Sequence, residues 1–194
     1  MITSFFSEDE LIVLGFKKLG KGVRISRKAS FYNISAIEVG DFSRIDDFCV
    51  LSGGGDGISI GRHVHIGVSS TCIGDANICI KDFANISSRV SIYSSNDDYS
   101  GEWMTNPTLP THLTNVMSIP VCIEEHVIVG CGSVILPGVT MYKGSGAGAL
   151  SLIKDNCDQS ALYAGRPAKK IGKRSPSCFD LAKRAFSESN EGFP

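Results

Sequence analysis

The sequence predicts an all-β fold: a parallel β-helix of about five coils, with one long inserted loop and short terminal helices. Three observations predict it. An apolar residue recurs every six positions, through Val39, Ile45 and Leu51, then Ile60, Ile66 and Cys72, then Ile80, Ile86 and Ile92. The series resumes at Ile123 and continues through Val129, Ile135, Met141, Ala147 and Ile153. The position four residues on is small in nearly every hexad: Ser43, Cys49, Val64, Ser70, Ala76, Ala84, Val90, Val127, Ser133, Val139, Ser145 and Ser151. The repeat breaks off once, in "IYSSNDDYSGEWMTNPTLP", between Ile92 and Pro110.

An α-helix repeats at 3.6 residues and an ordinary strand at two, so neither produces a period of six with a small residue at offset four. A β-helix does. Each hexad supplies a short strand and a corner, and three hexads close one triangular coil. The offset-zero residue fills the bore, and the offset-four residue points inward at the corner, where little room is left. Stacking places like residue on like at about 4.8 Å. The expected coils are residues 39–56, 60–77, 80–97, 123–140 and 141–158. Gly often follows the apolar position (Gly40, Gly61, Gly67, Gly130, Gly148), which suggests tight turns there.

Before the repeat, residues 1–38 hold a helix and a lead-in. "SEDEL" reads as a capping box, with Ser7 as N-cap, Glu10 at N3 and an end near Gly15. "LGKGVRISRKASFYNISA" reads as lead-in strand and first turn. The repeat occupies 39–158, with residues 98–121 inserted as a loop that Pro107 and Pro110 stiffen. A loop of that length without periodicity is usually functional or disordered. The C-terminal segment, 159–194, contains an amphipathic stretch from Phe179 to Phe186 that suits a packed helix, followed by a tail expected to be mobile.

Composition narrows the function classes. The 194 residues carry a formal net charge of −1, so no bulk affinity for nucleic acid is expected. No apolar run is long enough to span a membrane, and no basic-then-apolar leader opens the sequence, which points to the cytoplasm. The seven cysteines are scattered without a CxxC pair, so they read as small buried apolar residues rather than a disulfide framework or zinc site. No metal is expected.

The stretch "VIVGCGSVILPGVTMYKGSGAGALSLI" followed by "YAGRPAKKIGKR" resembles the hexapeptide-repeat acyltransferase superfamily, over about residues 10–174. The resemblance implies a left-handed β-helix and a homotrimer with active sites in the grooves between neighbouring prisms. It also implies acetyl-CoA as co-substrate along the groove and a loop reaching over the site. Over residues 60–155, "VHI" together with "IYSSNDDYSGEWMTNPTLP" resembles acetyltransferases of bacterial polysaccharide pathways. Those enzymes act on nucleotide-linked 4-amino-4,6-dideoxy sugars of the viosamine or perosamine type. The implied function is N-acetyl transfer to such an amino sugar. The alternatives are O-acetyl transfer on the same fold, for which a base would be needed, and a non-catalytic repeat scaffold.

Acyl transfer needs an oxyanion donor, a route for the acceptor's proton and in-line positioning. The donor, by the resemblance, is backbone near Cys131 and Gly132. Many relatives keep a histidine just before the loop, where this chain has Asp97 and Asp98. His65, Asp97 and Asp98 are therefore the candidates for catalysis, and two mechanisms stay open. In one, His65 or a carboxylate takes the amine proton. In the other, a free amine attacks unaided and the acidic pair grips the sugar. Tyr99, Trp103, Asn106 and His112 are candidate substrate contacts from the loop. His65 is expected at a coil corner, and His63 and His126, at offset three, on the exterior mid-edge. For CoA the candidates are Gly148, Ala149, Leu150 and Ser151 along the groove. Arg166, Lys169 and Lys170, with Lys173 and Arg174 beyond, would meet its phosphates.

Overall fold

The computed structural model describes residues 4–187. Its body is a stack of parallel coils with three faces. The first face has six strands, beginning with Lys18–Leu19 and ending with Thr140–Met141. The second has eight, beginning with Arg24–Ile25, and the third has six, from Ser30–Tyr32 to Leu152–Ile153. The register runs coil on coil: Ile78 on Ile58, Ile86 on Ile66, Ile135 on Ile153.

The hexad set is the bore. All fifteen offset-zero residues predicted from the sequence are buried, each at 4% exposure or less, and the twelve at offset four are buried too, each at 6% or less. Fully burying one such isoleucine contributes about 1.5–3 kcal/mol. The offset-four serines are also connectors. Ser43 Oγ donates to the Gly61 carbonyl (2.7 Å) and accepts from Val64 N–H (2.9 Å) in the next coil. Ser133 does the same with the Gly148 carbonyl (3.0 Å) and Ser151 N–H (3.1 Å). A small hydroxyl there satisfies backbone groups that the corner would otherwise leave buried and unpaired.

The stack is longer than expected: six complete coils and a partial seventh, rather than five. Residues 18–32, taken as lead-in, form a full coil with Leu19, Ile25 and Phe31 facing inward and in register with Val39, Ile45 and Leu51. At the other end, Ala161–Gly165 and Ala168–Lys173 form an antiparallel hairpin that extends the second face. The capping box at Ser7 is formed, and helix α1 spans Glu8–Val13. Phe6 N–H donates to the Ile25 carbonyl (3.0 Å), so this segment covers the open edge of the first coil. The C-terminal helix, α2, spans Ser177–Ser187. The tail expected to be mobile lies outside the described residues.

The glycines after the apolar position do not serve turns. None of Gly40, Gly61, Gly67, Gly130 and Gly148 has a positive φ. A Cβ on Gly40 would meet Gly61 C at 2.5 Å, and one on Gly130 would meet Ala149 N at 2.5 Å. Gly40, Gly61, Gly67 and Gly130 are glycines because neighbouring coils approach there backbone to backbone, whereas Gly148 faces the Ala164 methyl. The left-handed backbone falls instead at offset three: Phe42, His63, Phe83 and His126 have φ of 57°, 53°, 62° and 59°. His63 and His126 are therefore corner residues, not mid-edge ones, and the aromatic rings stack along that corner. Phe179 and Phe186 of α2 pack on this column.

Only Cys49, Cys72 and Cys157 are buried; Cys79, Cys122 and Cys178 are half-buried and Cys131 is exposed. Position in the coil explains Cys79, Cys122 and Cys131, which sit on strands or a corner where the side chain leaves the bore, while Cys178 lies on α2.

Candidate active site

The inserted loop leaves the coil earlier than the sequence suggests. Ser95–Asn96 pairs antiparallel with Met117–Ser118, and Ile119 N–H donates to the Ser94 carbonyl (2.9 Å). This two-rung ladder fixes the loop's base, so Asp97 and Asp98 both belong to the loop rather than ending the coil.

Beyond the ladder the loop folds over the third face and encloses a cavity of about 770 Å³. Its floor is Ile73, Tyr93, Val134 and Leu136, which point outward from successive coils. Asp97, Tyr99, Asn106, Pro107 and Leu109 contribute from the loop. The size suits a small-molecule site, and apolar walls with a few polar groups are the usual lining of one.

The two aspartates differ. Asp97 is exposed, faces the cavity and makes no hydrogen bond or ion pair with the described residues. Asp98 ties the loop together: it accepts from Ser100 Oγ (2.5 Å), Ser100 N–H (2.8 Å) and Asn115 Nδ2 (3.1 Å). The hydrogen bonds from Ser100 hold its carboxyl below the usual carboxylate range. Asp98 thus shapes the loop and Asp97 is left available.

Of the loop candidates, Tyr99 and Asn106 line the cavity. Asn106 also accepts from Thr108 N–H (3.0 Å) and Oγ1 (2.6 Å), stabilising its unusual φ of 110°. Trp103 and His112 are exposed and do not line the cavity within this chain.

His65 is not at a corner. It sits on the strand His65–Ile66 of the second face, away from the cavity on the third. Its Nε2 meets Asp46 Oδ2 at 2.9 Å and its Nδ1 meets Asn85 Oδ1 at 3.0 Å. Burial works against the Asp46 carboxylate, but hydrogen bonds from His65 and Arg44 outweigh it and keep its pKa below the ordinary value.

The corner between second and third faces carries the remaining candidates. Gly132 N–H donates to the Ser88 carbonyl (3.0 Å), so it is spent on coil stacking and is not a free oxyanion donor. Cys131 N–H has no acceptor among the described residues. Gly148, Ala149 and Leu150 form the same corner one coil on, with Ala149 and Leu150 exposed. Arg166 Nε caps it by donating to the Leu150 carbonyl (2.7 Å). Ser151 is buried, and its hydroxyl donates to the Gly148 carbonyl (2.7 Å), so it presents no surface to a ligand.

Among the cations, Lys170 pairs with Asp158 at 2.8 Å, which raises its pKa. Arg174 Nη1 donates to the carbonyls of His126 (3.2 Å), Gly144 (2.8 Å) and Ser145 (2.7 Å), making it a clamp on the first corner rather than a phosphate ligand. Lys169 is exposed and makes no ion pair among the described residues.

The cavity floor was not anticipated from the sequence. Its signal was present: Ile73, Tyr93 and Leu136 each follow an inward residue, at a position that elsewhere in the repeat, Tyr142 apart, is Gly or polar.

No family model matches the chain. It is 48% identical over 178 residues to dTDP-4-amino-4,6-dideoxy-D-glucose acyltransferase of Escherichia coli, covering 92% of this chain and 93% of the relative. AntD, an N-acyltransferase from Bacillus cereus, solved with dTDP and 3-hydroxybutyryl-CoA, superposes with a TM-score of 0.93 at 39% identity, over 98% of this chain and 100% of that one. A serine-to-cysteine variant of AntD holding dTDP-4-amino-4,6-dideoxyglucose and coenzyme A gives 0.92 at 38%, over 97% and 100%. A hexapeptide-repeat acetyltransferase from Vibrio cholerae, at 20% identity and a TM-score of 0.61 over 88% of this chain and 79% of that one, shares the fold alone.

The stacked coils and the cavity under an inserted loop define a β-helical acyltransferase. Within that class the chain belongs to the family of dTDP-4-amino-4,6-dideoxy-D-glucose acyltransferases.

Proposed function

We propose that the protein transfers an acyl group, acetyl in the first instance, from acyl-CoA to the 4-amino group of a dTDP-linked 4-amino-4,6-dideoxyhexose. The observation that carries this reading is the free carboxylate of Asp97 at the mouth of the cavity, in a chain 48% identical to an enzyme named for that sugar nucleotide.

Asp97 accepts a proton from the sugar ammonium, or from the nitrogen as it attacks. The nitrogen bonds to the thioester carbonyl carbon, and the C–S bond then breaks to release CoA thiolate. A carboxylate suffices because an amine, once neutral, is a strong nucleophile, whereas an unactivated hydroxyl needs a stronger base. Tyr99 and Asn106 hold the sugar nucleotide. The Cys131 N–H supplies a donor to the oxyanion. CoA lies along the corner formed by Gly148, Ala149 and Leu150, with Arg166 and Lys169 near its phosphates.

The chain works as a homotrimer, in the cytoplasm, where sugar nucleotides and acyl-CoA meet. A neighbour's face closes the cavity, and that is the setting in which His65, Trp103 or His112 reaches substrate.

The test is incubation with acetyl-CoA or 3-hydroxybutyryl-CoA and dTDP-4-amino-4,6-dideoxyglucose, following free thiol and product mass. Thiol release with amide formation is expected. Turnover confined to hydroxyl acceptors would overturn the reading. Sedimentation equilibrium tests the assembly, and a monomer at working concentration would remove the shared groove.

A further inference from the structure

Cys79 and Cys122 stand on opposite sides of the inserted loop in sequence and side by side in the fold. They are register partners on adjacent parallel strands of the first face, Ile78–Ile80 and Val121–Ile123. Both side chains point outward and are half-buried. Adjacent strands lie about 4.8 Å apart, inside the roughly 4.4–6.8 Å between Cα atoms that a disulfide spans. Their neighbours along the same column, Ser59 and Thr140, are polar, so nothing in the repeat asks for sulfur here.

We propose that Cys79 and Cys122 form a reversible disulfide, written by peroxide and erased by thiols, that staples the coil before the active-site loop to the coil after it. The site opens on a cavity of about 260 Å³ lined by Cys79, Lys81, Asp82 and Glu125, which gives a small oxidant access. The adjacent Cys122 side chain, helped by Lys81 against the opposing effect of burial, brings the Cys79 thiol down to about 7, and Cys79 in turn raises Cys122. Cys79 is therefore the attacking sulfur and Cys122 the resolving one.

The chemistry balances. The Cys79 thiolate attacks one peroxide oxygen; an S–O bond forms, the O–O bond breaks, and the departing hydroxide takes a proton to leave as water. The Cys122 sulfur then attacks the resulting sulfenic acid. An S–S bond forms, the S–O bond breaks, and hydroxide leaves with the Cys122 proton as a second water. The two thiols lose two electrons together and the peroxide gains them.

The closed ring contains the whole overhanging loop, so the bond limits how far the unfolded chain can expand. The pair lies on the first face and the cavity on the third, so turnover by the folded enzyme is not required to change.

The experiment uses the full chain with an equimolar amount of hydrogen peroxide. Loss of two titratable thiols, a non-reduced peptide linking Cys79 to Cys122, and recovery of both thiols with dithiothreitol are expected. The oxidised chain should melt about 5 °C higher. Because Cys131 is exposed and Cys178 half-buried, the experiment is repeated in Cys131→Ser/Cys178→Ser, which should oxidise alike. Cys79→Ser and Cys122→Ser should each abolish the linked peptide. Sulfinic acid on Cys79 without a cross-link, or cross-links only through Cys131 or Cys178, would overturn the proposal.

Discussion

Phe83 and His126 lie face to face, ring centroids 4.9 Å apart and planes 10° from parallel, although the inserted loop separates them in the chain. The stack continues through His63 and Phe42, and Phe179 and Phe186 of the C-terminal helix rest against it. This column ties the outside of four coils to the end of the chain.

The column makes stability depend on pH. Burial lowers the pKa of both histidines from 6.5, with Arg62 adding to the effect at His63 and Lys143 and Arg174 at His126. Asp41 and Asp82 partly oppose it at His63, and Glu125 and Asp82 at His126. A depressed folded pKa means the unfolded chain binds more protons, so the contribution is complete above 6.5 and is lost as pH falls through the folded values. Tm should drop by about 3–6 °C between pH 7.5 and 5. In His63→Phe/His126→Phe, which keeps the stack, that drop should shrink. An unchanged pH profile would show that the histidines do not govern it.

Asp97 and Asp98 should separate in kinetics. Asp97→Asn is expected to lower kcat by about 10²–10⁴-fold with Tm unchanged, since this carboxylate has no structural partner. Asp98→Ala should loosen the loop, raising KM for the sugar nucleotide more than it lowers kcat, because it removes three hydrogen bonds that shape the roof. Equal effects from the two variants would contradict the division of roles.

Gly40→Ala should cost about 2–3 kcal/mol, read as a shift in denaturant midpoint. The added methyl would meet Gly61 C, Gly61 O and Arg62 N at 2.5, 2.7 and 2.8 Å, all of it backbone that cannot step aside. Gly101→Ala is the matched control for glycine content: its φ is +83° but its Cβ would meet nothing within 4 Å, so its cost is conformational only, about 1 kcal/mol.

Arg174→Ala should destabilise by about 2–3 kcal/mol, since three carbonyls lose a charged donor. KM for acyl-CoA should stay within about twofold in this variant, whereas Lys169→Ala should raise it several-fold. Calorimetry and initial-rate kinetics on the two variants decide between clamp and phosphate ligand.

Much of this fold was written in one dimension. Because every coil reuses the same three faces, a period of six, as in Val39, Ile45 and Leu51, suffices to name the bore, and Ile45, Ile66, Ile86 and Val129 stack along it. The small residues at offset four follow from the narrowness of the corner, and the loop announces itself by breaking the period. A hexad is local, so the sequence alone carried these features, along with the family and the chemistry it implies. What faces outward was not local. Which glycine is forced by φ and which by an adjacent coil, whether Asp97 or Asp98 is spoken for, that Gly132 N–H and Arg174 are already committed to carbonyls, and that Cys79 meets Cys122 all depend on which coil lies next. That neighbour is set by how many residues each corner and the inserted loop consume, and only the stacked structure counts them.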